Sequence, residues 1–158
     1  MTLRYVYGQN QAVAQFVARL IPHIDPRGFP VTAGAIGIVN ANNEPVAGIV
    51  FYNWNTHAGT VDIAAAARPG HPWFSRETMR HAFGYAFGKL RCQMAVMRVL
   101  ASNLSLLRQM HAFGCALITV PRLYGRDDDG VICTYTAEQW ASSKFNRPPP
   151  QLQQEKAA

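Results

Sequence analysis

Residues 101–130, ASNLSLLRQMHAFGCALITVPRLYGRDDDG, decide how this chain is read. The apolar run QMAVMRVLA ends at Ala101, and Asn103 stands where a helix should begin. Asparagine suits that corner because its side-chain oxygen can take a free N–H of the first turn. The Phe113-Gly114 step closes the helix, since glycine accepts the left-handed conformation in which helices often end. CALITV and GVICTYT then read as strands, with GRDDDG in the turn between them. A strand, a helix and a hairpin thus follow one another. Asn103 either caps the helix and nothing more, or also holds a long cofactor at the strand-to-helix corner.

Upstream, Val13, Phe16, Val17, Leu20 and Ile21 fall at helical spacing, with Asn10 as the expected N-cap and Pro22 as the stop. AIGIV and PVAGIVFYNW read as strands around the turn NANNE, and TVDIAAAA as a third antiparallel strand. After RPGHP the period changes. Met79, Phe83, Ala86, Phe87 and Leu90 form one stripe, which predicts an amphipathic helix over 76–90 capped by Ser75. Gly84 and Gly88 weaken that helix and suggest close packing on a sheet. Thr136 is placed to cap a last short helix in AEQWASSKF. The expected order is α-β-β-β-α-β-α-β-β. That is an α/β domain over 1–145 with a mixed, mostly antiparallel sheet of about six to seven strands and helices on both faces. NRPPPQLQQEKAA has little to bury, so 146–158 is expected to be a disordered tail.

The composition fits one globular domain: 158 residues, 49% apolar and 15% charged. No run approaches the ~20 apolar residues of a membrane span, and the N-terminus lacks a signal peptide's apolar core. Cys92, Cys115 and Cys133 are odd in number and widely spaced, which points to a reducing cytoplasm rather than a disulfide framework. The charge of +6 is spread along the chain without a Lys/Arg block or interleaved aromatics. It suits an anionic cofactor better than nucleic acid.

This order and these residues resemble the GNAT acetyltransferase superfamily, with the Rim-type protein acetyltransferases as the nearest likeness. Family members often read N-x-x-S/A after the fifth strand and G-F at the end of the next helix. Here Asn103 and Gly114 keep the spacing, Ser105 comes one residue early, and Cys115 replaces Phe. HPWFSRETMRHAFGYAF resembles the family's W-G-x-G segment and the aromatic helix after it, and GRDDDGVICTYTAEQW resembles its closing hairpin and helix. The resemblance covers residues 30–140.

It implies acetyl-coenzyme A as co-substrate, lying between splayed fourth and fifth strands, with its pyrophosphate on free N–H groups at the start of the next helix. Carried over, Ile63, Ala64 and Ala65 supply strand contacts, and Phe74, Ser75 and Arg76 lie at the pyrophosphate. Asn103 meets the pantetheine arm, and Leu107 packs beside it. The family's phosphate loop carries glycines where this chain has Phe74 and Arg76 in RPGHPWFSR. Either Arg68, Arg76 and the Ser75 hydroxyl make up for them, or the loop binds coenzyme A poorly.

Acetyl transfer to an amine calls for a base, an oxyanion donor and an acid for the leaving thiolate. Asp62 is the base candidate, because strand alternation puts it opposite Val61 and Ile63; a surface carboxylate paired across strands is the other reading. Ser105 and Tyr124 are the acid candidates, since Met110 stands where many members carry Tyr. The other reading has Ser105 serving the first helical turn and Tyr124 only packing. His57, His71 and His111 are loop or helix-surface histidines by position, and Cys115 reads as a core thiol. RDDDG is a hairpin turn and no metal is expected. Trp54, Trp73 and Trp140 read as packing anchors, with Tyr52 and Trp54 as an alternative lining of an acceptor groove.

The expected activity is direct N-acetyl transfer in the cytoplasm to a protein or small-molecule amine. Neither membrane nor nucleic acid is an expected partner, and a homodimer fits. The rival is a GNAT-fold binding module without catalysis, working in a protein complex.

Overall fold

The computed structural model describes residues 2–71 and 75–147. Seven strands form one sheet in the order β1-β2-β3-β4-β5-β7-β6: β1 Arg4–Tyr7, β2 Gly34–Val39, β3 Pro45–Asn55, β4 Thr60–Ala67, β5 Met94–Leu100, β6 Ala116–Gly125 and β7 Asp128–Thr136. Only β4 and β5 are parallel; all other neighbours are antiparallel. Helix α1 (Asn10–Leu20) covers one face at β2, β3 and β4. On the other face lie α2 (Arg76–Phe83), a π-helical turn (Gly84–Lys89), α3 (Leu104–Phe113) and α4 (Ala137–Ser142). This is the mixed α/β sheet with helices on both faces that the sequence leads one to expect.

The helix starts and stops follow local chemistry. Asn103 Oδ1 accepts from the Leu106 N–H at 3.3 Å, and Gly114 ends α3 with φ of +108°. Ser75 caps α2 through the Thr78 N–H, and Thr136 forms a reciprocal capping box with Gln139. Asn10 does not cap α1. It is the first helical residue, and its Oδ1 accepts instead from the Ala35 N–H, tying α1 to β2.

Other expectations need correcting. Strand β1 is additional. It pairs only with β2, and Tyr5 stacks on His81 at 3.8 Å between ring centroids. Helix 76–90 does not continue as an α-helix but widens into the π turn at Gly84. The added residue per turn lets Phe83 and Phe87 stack at 5.7 Å while Tyr85 reaches across to Phe51 at 4.5 Å. Gly84 and Gly88 are exposed, and a Cβ at either would meet nothing within 4 Å, so they serve no close packing. Strands β6 and β7 run further than CALITV and GVICTYT, leaving only Arg126 and Asp127 between them. Trp140 is buried as expected, but Trp54 is half exposed, with its indole beside buried Cys92; Trp73 lies outside the described residues.

Close packing is needed elsewhere, at Gly48. A Cβ there would sit 2.6 Å from Val17 Cγ2 and 2.8 Å from Val13 Cγ1, so glycine lets α1 lie directly on β3. Gly48→Ala is expected to cost about 1–3 kcal/mol by overpacking. Thermal melting should show it as a fall of about 2–4 °C per kcal/mol. An unchanged midpoint would mean that α1 shifts without penalty.

Candidate active site

Strands β4 and β5 pair only from Thr60 with Met94 to Ile63 with Met97. Beyond that point they have no register with each other, although β4 stays paired with β3 as far as Ala67 and β5 with β7 as far as Leu100. One edge of each strand is therefore satisfied, and the two edges that face one another are open. Buried backbone N–H and C=O groups need partners, so such a gap favours an occupant that offers hydrogen bonds. A cavity of about 290 Å³ fills the wedge. Its β4 wall is Ile63 and the run Ala64–Ala67, whose small side chains leave the gap unfilled.

The cavity is reached from both faces of the sheet. Met79, Ala82 and Phe83 from α2 and Leu106 and Met110 from α3 line one side. Leu20, Ile21 and Pro22, at the end of α1, line the other with Arg98 and Tyr124. Asn103 stands at the rim. Its cap uses Oδ1 only, and its Nδ2 has no hydrogen-bond partner among the described residues. Capping thus leaves the amide donors available at the cavity.

The structure gathers some of the sequence-derived candidates and separates others. Ile63, Ala64, Ala65, Asn103 and Tyr124 all line the cavity. Leu107 does not; it packs into the core, and Leu106 takes the place in the wall. Ser105 is exposed on α3 and outside the lining. Arg68 turns away, with its guanidinium carbon 5.7 Å from the centroid of the Phe16 ring on α1. Ser75 Oγ is occupied by the Thr78 N–H and the Thr78 hydroxyl. Arg76, the first residue of α2, is exposed and lies 5.7 Å over Phe145. Phe74, and with it the centre of the phosphate loop, lies outside the described residues.

Asp62 sits opposite Val61 and Ile63, as alternation requires, and faces the α1 side partly buried. Its Oδ2 accepts from Asn53 Nδ2 at 3.0 Å. Asn53 reaches it because the β3–β4 register breaks between Tyr52 and Asn55, and Asn53 adopts φ of +50°. Such irregularities re-aim side chains. Tyr52, directly across from Asp62, is mostly shielded from water. Burial pushes its phenol above the ordinary range, the Asp62 carboxylate adds to that, and Arg98 opposes it. Burial also raises Tyr124, again against Arg98, so Tyr124 keeps its proton at neutral pH. His23, in the segment after α1, lies 6.2 Å from the Tyr124 ring.

Cys92, Cys115 and Cys133 are all buried free thiols. Cys115 is buried against Met110, and desolvation pushes its thiol up to about 12, far from a thiolate at neutral pH.

The residues that sequence reasoning passed over are Arg98 and Asn53. Arg98 carried a signal: it is the one charge in an otherwise apolar strand, MAVMRVL. Asn53 carried none, because its role depends on the backbone break in β3.

The fold as a whole has counterparts among solved structures. The spermidine/spermine N-acetyltransferase SpeG from Vibrio cholerae, solved with manganese ions, superposes with a TM-score of 0.73 at 11% identity, over 88% of this chain and 95% of that one. The chain has the GNAT fold. The V. cholerae spermidine N-acetyltransferase in complex with CoA and spermine gives a TM-score of 0.72 at 11% identity over 89% and 98% of the two chains. Its dodecameric form in an intermediate state gives 0.72 at 11% identity over 89% and 96%. These likenesses do not single out the Rim-type branch. No family model and no curated protein sequence matches the chain. Among the described residues, no helix is long and apolar enough to cross a membrane.

Proposed function

We propose that this protein is an N-acetyltransferase that moves an acetyl group from acetyl-coenzyme A to an amine. The observation that carries the reading is the split between β4 and β5. Two open backbone edges face one apolar cavity, which suits an extended, amide-bearing arm such as pantetheine, bound as an added strand. The solved structure with CoA and spermine, at the same fold, supports the same occupant here.

In this reading the acceptor approaches from the α1 side. Asp62, oriented by Asn53, takes the ammonium proton through water. The neutral amine then attacks the thioester carbonyl; the C–N bond forms and the C–S bond breaks. Free N–H groups on the β4 edge donate to the carbonyl oxygen. Tyr124, protonated at neutral pH, gives its proton to the departing thiolate, and the proton shed by the new amide nitrogen restores it through water. Ser105, exposed and outside the cavity wall, is the weaker acid candidate.

Arg76 belongs to the phosphate end. At the first position of α2 its charge adds to the positive end of the helix dipole. Arg76→Glu is expected to weaken acetyl-coenzyme A binding about 10-fold, from loss of one charge-assisted contact. Calorimetry would read the affinity, and a melting curve should show little change. Equal affinity in the variant would remove Arg76 from the site.

The test of the activity itself is calorimetric titration with acetyl-coenzyme A, followed by thiol release in the presence of an amine panel that includes spermidine. Binding without turnover of any amine would favour the binding-module rival. Absence of both binding and turnover would end the acetyltransferase reading and leave the binding-module rival.

A further inference from the structure

Arg98 is the least explained charge near the cavity. It lies on β5, two residues past Val96, the partner of Asp62, and so on the same face of the sheet as Asp62. The two carry opposite charges yet form no ion pair within 4.0 Å; Arg27–Asp25 is the one salt bridge among the described residues. No hydrogen bond from the Arg98 guanidinium to a described residue is present either. Both charges influence the Tyr52 phenol, the Asp62 carboxylate raising its pKa and Arg98 lowering it. A site that keeps a carboxylate and a guanidinium apart, on one face, leaves room for a ligand that carries both complementary charges.

The surroundings favour the same conclusion. The cavity lining contains Arg98 and no Asp or Glu. A long polycation would meet one carboxylate, Asp62, and then the positive charge of exposed Arg98. The whole chain, at +6, offers no compensating acidic field. A guanidinium presents a planar fork that matches a carboxylate with two parallel hydrogen bonds.

We infer that the acceptor is an amine that itself bears a carboxylate a few bonds away, an amino-acid-like zwitterion, with Asp62 receiving the ammonium and Arg98 the carboxylate. Successive same-face positions along a strand are about 6.6 Å apart, and neighbouring strands about 4.8 Å, before the splay adds to it. Arg98 is exposed and Asp62 partly buried on that face, and side chains from those two positions can bracket a molecule of amino-acid size. The inference rests on the acetyltransferase reading above and goes beyond it in naming the acceptor class.

The experiment uses the full chain, acetyl-coenzyme A and matched acceptor sets. Each set holds an amino acid, its amide and its decarboxylated amine, and spermidine serves as the polycation. Thiol release gives kcat/KM, corrected for each amine's free-base fraction. Within the accepted set, the carboxylate-bearing member should exceed the other two by roughly 10- to 100-fold, the range set by a hydrogen bond to a charged group. Arg98→Gln should collapse that ratio towards one; because the ratio compares acceptors within one variant, any change in acetyl-coenzyme A affinity cancels from it. Arg98→Lys should keep part of the ratio, because an ammonium retains the charge and loses the fork. Acetylation of spermidine or of the decarboxylated amines as fast as of the amino acids would overturn the acceptor class and leave the acetyltransferase reading standing. A preference that survives Arg98→Gln would overturn the assignment of Arg98. Absence of acetyl-coenzyme A binding would overturn the activity, and this inference with it.

Discussion

Asp62→Asn is expected to lower the rate of acetyl transfer at neutral pH by roughly 10²–10⁴-fold, the range lost with a positioned base. Asparagine keeps the size of the side chain, and Asn53 can still hydrogen-bond the amide oxygen in place of the carboxylate at 3.0 Å. It cannot accept the ammonium proton. Affinity for acetyl-coenzyme A should not change, because Asp62 lies on the α1-side face below the point where β4 and β5 part and is not in the cavity wall. If Asp62 does no more than pair with Asn53 across two strands, the substitution should change stability by about 1 kcal/mol or less and the rate hardly at all. Thiol-release kinetics over a pH series distinguish the two. Unchanged turnover across that series would sink the base assignment.

Ala64→Trp is expected to abolish measurable acetyl-coenzyme A binding, with a loss of affinity of roughly 100-fold or more, which is about 2.7 kcal/mol. Ala64 lies in the wall of a cavity of about 290 Å³, just past the last bridged pair of β4 and β5. An indole there would occupy much of the wedge and cover the open strand edges. The cavity beside Ala64 has room for much of an indole, so the fold should survive. A melting curve within a few degrees of the parent's, together with lost binding, is the expected pair of results. Undiminished affinity would show that the ligand lies elsewhere, and the β4–β5 split would cease to support the proposed function.

Much of the fold was legible because its signals are local. Apolar alternation over TVDIAAAA and MAVMRVL fixes strands wherever they end up. Asn103, Ser75 and Thr136 take up N–H groups of their own helices, within three residues, so each cap could be read from spacing. Asn10 misled for the same kind of reason: its oxygen goes to Ala35, a partner 25 residues away that spacing cannot reveal. Strand β1 was missed because four residues at a sheet edge depend for their stability on His81 and Thr78, far along the chain. The π turn was missed because it answers to Phe51, on another strand.

The site divides along the same line. The chain by itself determined the element order, the capped corner at Asn103, the side of β4 on which Asp62 falls and the run of small residues from Ala64 to Ala67. Each follows from backbone geometry repeated at fixed spacing. Only the tertiary structure decided that β4 and β5 part after Ile63 and that Leu106 rather than Leu107 faces the gap. It also decided that Ser75 spends its hydroxyl on its own helix, that Arg68 leans on Phe16, and that Arg98 stands unpaired on the face it shares with Asp62. These depend on how far apart two strands lie and which way a side chain turns once its neighbours are packed. Residues distant in sequence set both, so no local pattern encodes them.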